Sequence, residues 1–166
     1  MSRLALTGGT LLDPEADHIG TATLLFEGGW IIDRLDPDAT LGGNWRNVDM
    51  MGRYIAPGFI NLHFHGELAH APTEAFASAL ARSATHMLAG GTTTFLATTM
   101  AWPHEQLADA LPALCAAVSA PAPGGARCAG LHLEGPWISS AAPGAMQAEC
   151  MRPFDSGADA ELLDRA

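Results

Sequence analysis

The sequence has little that could cross-link the chain or attract a polyanion. Its three cysteines, Cys115, Cys128 and Cys150, are widely spaced and form no CxxC pair, which disfavours both a disulfide framework and a thiolate zinc site. Eight lysine and arginine residues stand against 18 aspartate and glutamate residues, giving a net charge of -10. Because nucleic-acid binding needs basic patches that neutralise phosphates, this balance argues against a nucleic-acid partner.

Long apolar runs are also missing. None approaches the roughly 20 residues that a membrane-spanning helix needs, and the N-terminus lacks a basic region followed by an apolar segment. We therefore expect no membrane association and no export, and the unpaired cysteines favour a reducing, cytoplasmic compartment. Hydrophobic residues, in contrast, make up 48% of the 166 residues, enough to bury a real core. An acidic globular protein with a small-molecule partner fits these observations.

Residues 1–54 show the pattern of a small β-rich domain. Short apolar runs at 4–6, 21–26 and 30–32 are separated by glycine and proline turns, as is typical of strands. Gly28-Gly29 lies between the last two runs and can supply the positive φ angles of a tight hairpin turn.

Residues 55–166 alternate between the sequence pattern of a strand and that of a helix. Thr73 is expected to cap the first helix, Gly90-Gly91 to end it, and Pro112 to kink or split the second. The expected order of strand, helix, strand, helix and strand predicts βαβ units and a parallel sheet. The predicted strands are residues 59–63, 92–99 and 128–133, and the predicted helices are residues 74–88, 104–118 and 159–165.

Two histidines stand at the end of the first of these strands. Side chains two apart on a strand point to the same face, so His63 and His65 can converge on one ion, and imidazole nitrogen suits zinc and similar divalent metals. The pair alone is weak evidence, because paired histidines also occur by chance or as packed core residues. Their place at a strand end, after Pro57-Gly58, favours the metal site.

The third strand ends in the segment His132-Leu133-Glu134. Active sites of parallel α/β barrels lie at the carboxyl ends of strands, so Glu134 is expected to share a rim with the two histidines. A surface-loop glutamate is the alternative, which the fixed turn Gly135-Pro136 disfavours. His132 points to the same side as Glu134, where a contact with substrate and packing inside the barrel are equally compatible with the pattern.

Three segments resemble one known family. Residues 55–66, IAPGFINLHFHG, are similar to the opening HxH segment of the amidohydrolase superfamily, and residues 90–99, GGTTTFLATT, resemble its second strand. Residues 132–139, HLEGPWIS, resemble the HLEGP motif of N-acetylglucosamine-6-phosphate deacetylases, the most specific of the three. The resemblance covers essentially the whole chain.

The resemblance implies an α/β fold, the start of a (β/α)8 TIM barrel preceded by a small β-sandwich-like domain. It implies a divalent metal, zinc above all, with Glu134 as a ligand and with His63 and His65 supplying a second metal position that some family members use and others lack. It also implies a metal-dependent hydrolase that deacetylates N-acetylglucosamine 6-phosphate or a related N-acetyl amino sugar in amino-sugar catabolism, and a homodimer.

The chain departs from the family pattern after the third strand. Family members carry a histidine where this sequence has Gly144-Ala145-Met146, and methionine donates no strong hydrogen bond, which makes another N-acyl substrate an alternative. We list His132, Trp137, Ala145 and Met146 as candidate substrate contacts, although Trp137 could equally pack under its loop. Asp155, Asp159 and Asp164 are interpreted as a solvated acidic face and helix N-terminal charges rather than as ligands.

The family's two further histidine ligands and its general acid/base aspartate have no counterpart before Ala166. A barrel of this kind needs roughly 200 residues or more, so we expect the barrel to be incomplete in this chain and this chain alone to lack the complete site. The alternatives are a non-catalytic truncated fragment and an amidohydrolase for cyclic amides, similar to dihydroorotase.

Overall fold

A computed structural model describes residues 2–71, 73–120 and 123–164. The chain forms two compact units, Met1–Pro57 and Gly58–Ala166. Each has its own sheet, and the two are described in turn.

The first unit is a five-stranded sheet. Its order is β3-β2-β1-β4, and β5 pairs with β1 beyond the end of β4. β1, β2 and β3 are antiparallel neighbours, whereas β4 and β5 run parallel to β1. The predicted runs lie inside β1, β2 and β3, which are longer than expected. The strands are β1 (Arg3–Asp13), β2 (His18–Glu27), β3 (Trp30–Leu35), β4 (Arg46–Asp49) and β5 (Tyr54–Ile55).

The predicted hairpin between β2 and β3 is confirmed. Glu27 pairs with Trp30, and Gly28 and Gly29 have φ angles of 62° and 89°, the left-handed values that a two-residue hairpin turn requires. Residues 22–25 of β2 are all buried, and Ala22 and Leu24, which point to the same side of the strand, belong with Leu11 to one apolar cluster. One face of this sheet therefore carries the apolar cluster of the unit.

The second unit contains a parallel sheet in the order β6-β7-β8. The alternation of strand and helix is confirmed, and the chain is a mixed α/β structure. Its strands are β6 (Phe59–Phe64), β7 (Thr92–Thr99) and β8 (Arg127–Leu133), and its helices are α1 (Phe76–Ala89), α2 (His104–Ser119) and α3 (Ala158–Asp164). Short 3-10 turns span Gly66–Ala69, Thr73–Ala75 and Ala148–Cys150.

Two details of the helices differ from expectation. Thr73 does not cap α1: it starts a 3-10 turn, and the N-cap position is Ala75, which makes no side-chain capping bond. Pro112 lies inside α2 without splitting it. Burial of the neighbouring Leu111 and Leu114 keeps the helix together despite the lost backbone donor. Gly91, with φ of 85°, follows the end of α1 as expected, and residue 165 of the third predicted helix lies outside the described residues.

The helices bury their apolar faces against the sheet. Phe95 in β7, Leu80 in α1 and Leu114 in α2 belong to one cluster and are at most 4% exposed. Burying each such side chain contributes roughly 1.5–3 kcal/mol. This packing fixes β7 between β6 and β8. It also fixes the carboxyl ends of β6 and β8, which lie on either side of β7. Within the described residues, no helix is long and apolar enough to cross a membrane.

Candidate metal centre

Three side chains from two strands meet at the carboxyl edge of the parallel sheet. His63 lies in β6, His65 directly follows β6, and Glu134 directly follows β8. The Nε2 atoms of the histidines are 3.1 Å apart, and Glu134 Oε2 lies 3.1 Å from Nε2 of His63 and 2.8 Å from Nε2 of His65. The structure thus brings together the three residues that the sequence proposes as metal ligands.

The orientation of His65 is set by the backbone of β7. Its Nδ1 lies 3.2 Å from the carbonyl oxygen of Thr98. A carbonyl can only accept a hydrogen bond, so Nδ1 carries the proton and donates it. In the neutral ring Nε2 then presents a lone pair to the cluster, which is the arrangement found in metal-ligating histidines.

The carboxylate completes a set of electron-rich atoms. Glu134 Oε2 is inaccessible to solvent, and among the described residues its only polar neighbours are the two ring nitrogens, neither of which makes a well-aligned hydrogen bond to it. With His65 in the neutral tautomer that the Thr98 carbonyl selects, the Nε2 lone pair faces this oxygen at 2.8 Å, a repulsive contact that a cation between the two would relieve.

The spacing of the three atoms fits one divalent cation. Donor atoms bound tetrahedrally to one zinc ion at about 2.0–2.2 Å stand about 3.3 Å apart, close to the distances of 2.8–3.1 Å here. The three donor atoms are two imidazole nitrogens and one carboxylate oxygen, a set that suits zinc and neighbouring metals.

Thr98 is a functional residue that the sequence analysis missed. It is fully buried, and its hydroxyl accepts a 2.9 Å hydrogen bond from the backbone N–H of Phe64, between the two histidines. The register of β6 against β7 shifts between Asn61 and Phe64, so this side-chain bond holds the end of β6 where regular pairing fails. The available signal was a hydroxyl residue near the carboxyl end of the middle strand.

His132 lies beside the cluster without belonging to the three donors. Its ring centre is 5.1 Å from that of His63, and its Nδ1 is 3.5 Å from the Thr98 hydroxyl. The sequence-based expectation placed it on the same side as Glu134, and its proximity to His63 agrees with that geometry. Its role as a substrate contact stays a prediction.

The other candidate substrate contacts are engaged elsewhere. The Trp137 indole N–H donates a 2.8 Å hydrogen bond to Asp159, and its ring packs 5.3 Å from that of Phe154. Met146 is buried, with its sulfur 3.2 Å from the backbone nitrogen of Ala101. Ala145 is exposed. Substrate binding by these three residues stays a prediction.

The interpretation of Asp159 as a solvated acidic residue is wrong. Asp159 is 0% exposed and pairs with both terminal nitrogens of Arg152. The Arg152 guanidinium, helped by hydrogen bonds from the Asp155 amide and Trp137, holds the pKa of this carboxyl far below its usual range against the opposing effect of burial. Asp155 has a lowered pKa because its carboxylate accepts the amides of Ala158 and Gly157.

Comparison with known proteins places the chain in a family. Residues 54–165 match the model of the amidohydrolase family, and the chain belongs to that family, a group of hydrolytic enzymes.

Several of its curated relatives are N-acetylglucosamine-6-phosphate deacetylases, and an adenine deaminase from Serratia proteamaculans (strain 568) also matches, with 30% identity over 108 residues, 65% of this chain and 16% of that protein. Human N-acetylglucosamine-6-phosphate deacetylase is 32% identical over 163 residues, 96% of this chain and 35% of the human protein. The Bacillus subtilis (strain 168) protein of that name is 35% identical over 103 residues, 61% of this chain and 26% of that protein. The crystal structure of N-acetyl-D-glucosamine-6-phosphate deacetylase from Mycobacterium smegmatis matches with a TM-score of 0.78 and 26% identity, covering 97% of this chain and 43% of that chain. The chain therefore spans about a third of the length of the curated relatives it matches, 35% for the human protein.

Proposed function

We propose that this chain is part of a metal-dependent hydrolase that removes the acetyl group from N-acetylglucosamine 6-phosphate or a related N-acetyl amino sugar. One observation carries the proposal: the buried, unsatisfied Oε2 of Glu134 faces the lone pair of His65 Nε2 at 2.8 Å. The names of the relatives support the substrate class, because human and bacterial proteins that match this chain are N-acetylglucosamine-6-phosphate deacetylases.

The roles of the residues follow from their positions. His63, His65 and Glu134 would hold the divalent cation, which we propose to be zinc. When bound, such an ion polarises an amide carbonyl and lowers the pKa of a coordinated water from about 16 to about 7. Thr98 holds the His65 ring in the tautomer that presents Nε2. His132, next to His63, is proposed to contact the substrate on the open side of the cluster.

The proposal extends to the architecture. Residues 1–54 are proposed to be the small β-rich domain, the N-terminal part of a sandwich, and residues 55–166 the first βα units of a (β/α)8 barrel. The parallel order β6-β7-β8 and the position of the cluster at its carboxyl edge support this assignment. The further ligands and the general acid/base aspartate would come from sequence outside residues 1–166. A cytoplasmic location and a homodimer are part of the same proposal.

An acetate-release assay tests the function. The protein is purified in the length in which its source makes it, stripped of metal and reloaded with Zn²⁺, then given N-acetylglucosamine 6-phosphate, N-acetylglucosamine and dihydroorotate. We expect acetate from one of the two amino sugars and loss of at least about 10²-fold in rate for Glu134→Gln, the order of loss on removing an electrostatic group from a site. His86→Gln, on the exposed side of α1, is the matched control and should keep full activity.

The other outcomes identify the alternatives. Hydrolysis of dihydroorotate without acetate release would support the cyclic-amide enzyme. A preference for the unphosphorylated sugar would agree with Met146 standing where the family pattern described in the sequence analysis has histidine. A chain that binds no Zn²⁺ and turns over none of the three compounds would show that the hydrolase assignment is wrong and that the chain is a non-catalytic fragment.

A further inference from the structure

The ion pair of Asp159 and Arg152 is conspicuous because burying charge is costly. Asp159 is fully buried and the Arg152 side chain is 29% exposed. Desolvation offsets much of the attraction in such a pair, and an apolar replacement of similar volume is often as stable. The contacts that the pair makes with the rest of the molecule therefore indicate what it contributes.

Those contacts lead to the turn that follows Glu134. The backbone N–H of Arg152 donates a 3.0 Å hydrogen bond to the carbonyl of Pro136, and the Asp159 carboxylate accepts the indole N–H of Trp137 at 2.8 Å. The second and third residues after Glu134 are thus each held by one member of the ion pair.

The opposite side of the same turn is closed by packing. A Cβ atom placed on Gly135 would lie 2.7 Å from Cβ of Ala101, so the backbone at Gly135 already lies against the segment that follows β7. The turn is held between Ala101 on one side and the Arg152–Asp159 pair on the other. Little freedom is left for the backbone that carries Glu134.

We infer that Asp159 and Arg152 are positioning residues that set the place of the Glu134 carboxylate relative to His63 and His65. The inference rests on the proposed metal site. Glu134 Oε2 must lie within 3.1 Å of two ring nitrogens on another strand, so a small displacement of its turn separates the donors. Removal of a residue that orients a metal ligand typically lowers metal affinity by about 10–100-fold.

The pair also has a structural connection that a test must separate from positioning. Arg152 donates a 3.0 Å hydrogen bond to Nδ1 of His104, the first residue of α2. In addition, Leu162 of α3 belongs to the same apolar cluster as Leu107 and Leu111 of α2. Loss of α3 packing would therefore lower stability without touching the turn.

Zinc affinity and unfolding, measured on the same variants, distinguish the two roles. The protein is used in the length in which its source makes it, and the Zn²⁺ dissociation constant is determined by competition with a chromophoric chelator. Asp159→Asn removes the ion pair. Trp137→Phe removes the hydrogen bond of the indole N–H, together with the smaller ring of the indole, and keeps an aromatic ring against Phe154. Leu162→Ala is the control, because it weakens α3 without changing a polar contact of the turn.

We expect Asp159→Asn to weaken Zn²⁺ binding about 10–100-fold, and Trp137→Phe to weaken it several-fold with little change in melting temperature. Leu162→Ala should lower the melting temperature and leave the dissociation constant of the folded protein within about twofold of the parent. If Asp159→Asn does not fold, Trp137→Phe decides.

Unchanged zinc affinity in Asp159→Asn or Trp137→Phe, or an equal loss in Leu162→Ala, would overturn the positioning role while leaving the metal site intact. A parent protein that binds no Zn²⁺, or whose binding is unaffected by Glu134→Gln, would instead overturn the proposed function together with this inference.

Discussion

The Nδ1 atom of His65 lies 3.2 Å from the carbonyl oxygen of Thr98, and the hydroxyl of the same threonine accepts the amide of Phe64 at 2.9 Å. One buried residue of the middle strand thus fixes both the ring of a proposed ligand and the backbone that precedes it. The geometry of the cluster depends on β7 although β7 supplies none of its three donor atoms.

Replacing Thr98 by valine should therefore weaken both stability and metal binding. The change keeps the shape of the side chain but leaves the Phe64 amide without its acceptor, which costs about 1–3 kcal/mol of unfolding free energy. Thr99→Val is the matched control, since the Thr99 hydroxyl is buried and has no hydrogen-bond partner among the described residues. Urea unfolding should show a change of at most about 0.5 kcal/mol for Thr99→Val. Equal losses in the two variants would contradict the role given to Thr98.

Zinc should stabilise the folded protein through the three donor atoms. At a free Zn²⁺ concentration of 100 times the dissociation constant, a ligand that binds only the folded state adds about 2.7 kcal/mol. We expect thermal unfolding with and without chelator to show this shift in the parent protein and in His86→Gln, and to show almost none in Glu134→Gln. A shift that persists in Glu134→Gln would mean that the ion binds elsewhere.

The lowered pKa of Asp159 predicts that the folded protein loses stability in acid. Its lowered pKa in the folded state means that its contribution is complete above the unfolded-state pKa of about 3.9 and is lost as the pH falls toward the folded-state value. The groups that face it are Arg152, His104 and Asp155. Between pH 5 and pH 3, the unfolding free energy of the parent should fall relative to that of Asp159→Asn by about 1 kcal/mol. A constant difference over this range would show that the carboxyl titrates normally.

Gly135→Ala should disturb the turn that carries Glu134. A Cβ atom there would lie 2.7 Å from Ala101, and φ at this residue is 144°, a conformation that side chains rarely adopt. We expect a loss of about 2–4 kcal/mol in unfolding free energy and weaker zinc binding. Gly144→Ala is the comparison, because Gly144 also has positive φ but nothing within 4 Å of its Cβ position. It should cost about 1 kcal/mol and leave zinc binding unchanged.

Local patterns predicted the parallel sheet and the proximity of His63, His65 and Glu134, for physical reasons. The β-branched composition of Thr92–Thr99 identified β7 at its observed bounds. His63 and His65 could be placed together since alternation along a strand needs no knowledge of the rest of the fold. Glu134 could be placed near the two histidines because the carboxyl ends of parallel strands lie at the same edge of a sheet.

Contacts between distant segments were not predictable in this way. The burial of Asp159 depends on Arg152 approaching from the preceding loop, and nothing in the composition of Ala158–Asp164 distinguishes a buried carboxylate from a solvated one. Likewise, Thr98 gains its role only because the register of β6 shifts beside it. Pro112 shows the opposite effect, where packing of Leu111 and Leu114 outweighs a local helix-breaking signal.

The order β6-β7-β8 puts the two halves of the cluster on strands that are not neighbours. In the sheet, β6 and β8 each pair with β7, so His65 and Glu134 are held side by side through the strand between them. An ion bound there would link the ends of β6 and β8 directly. It would resist their separation, although the two strands are not paired with each other by backbone hydrogen bonds.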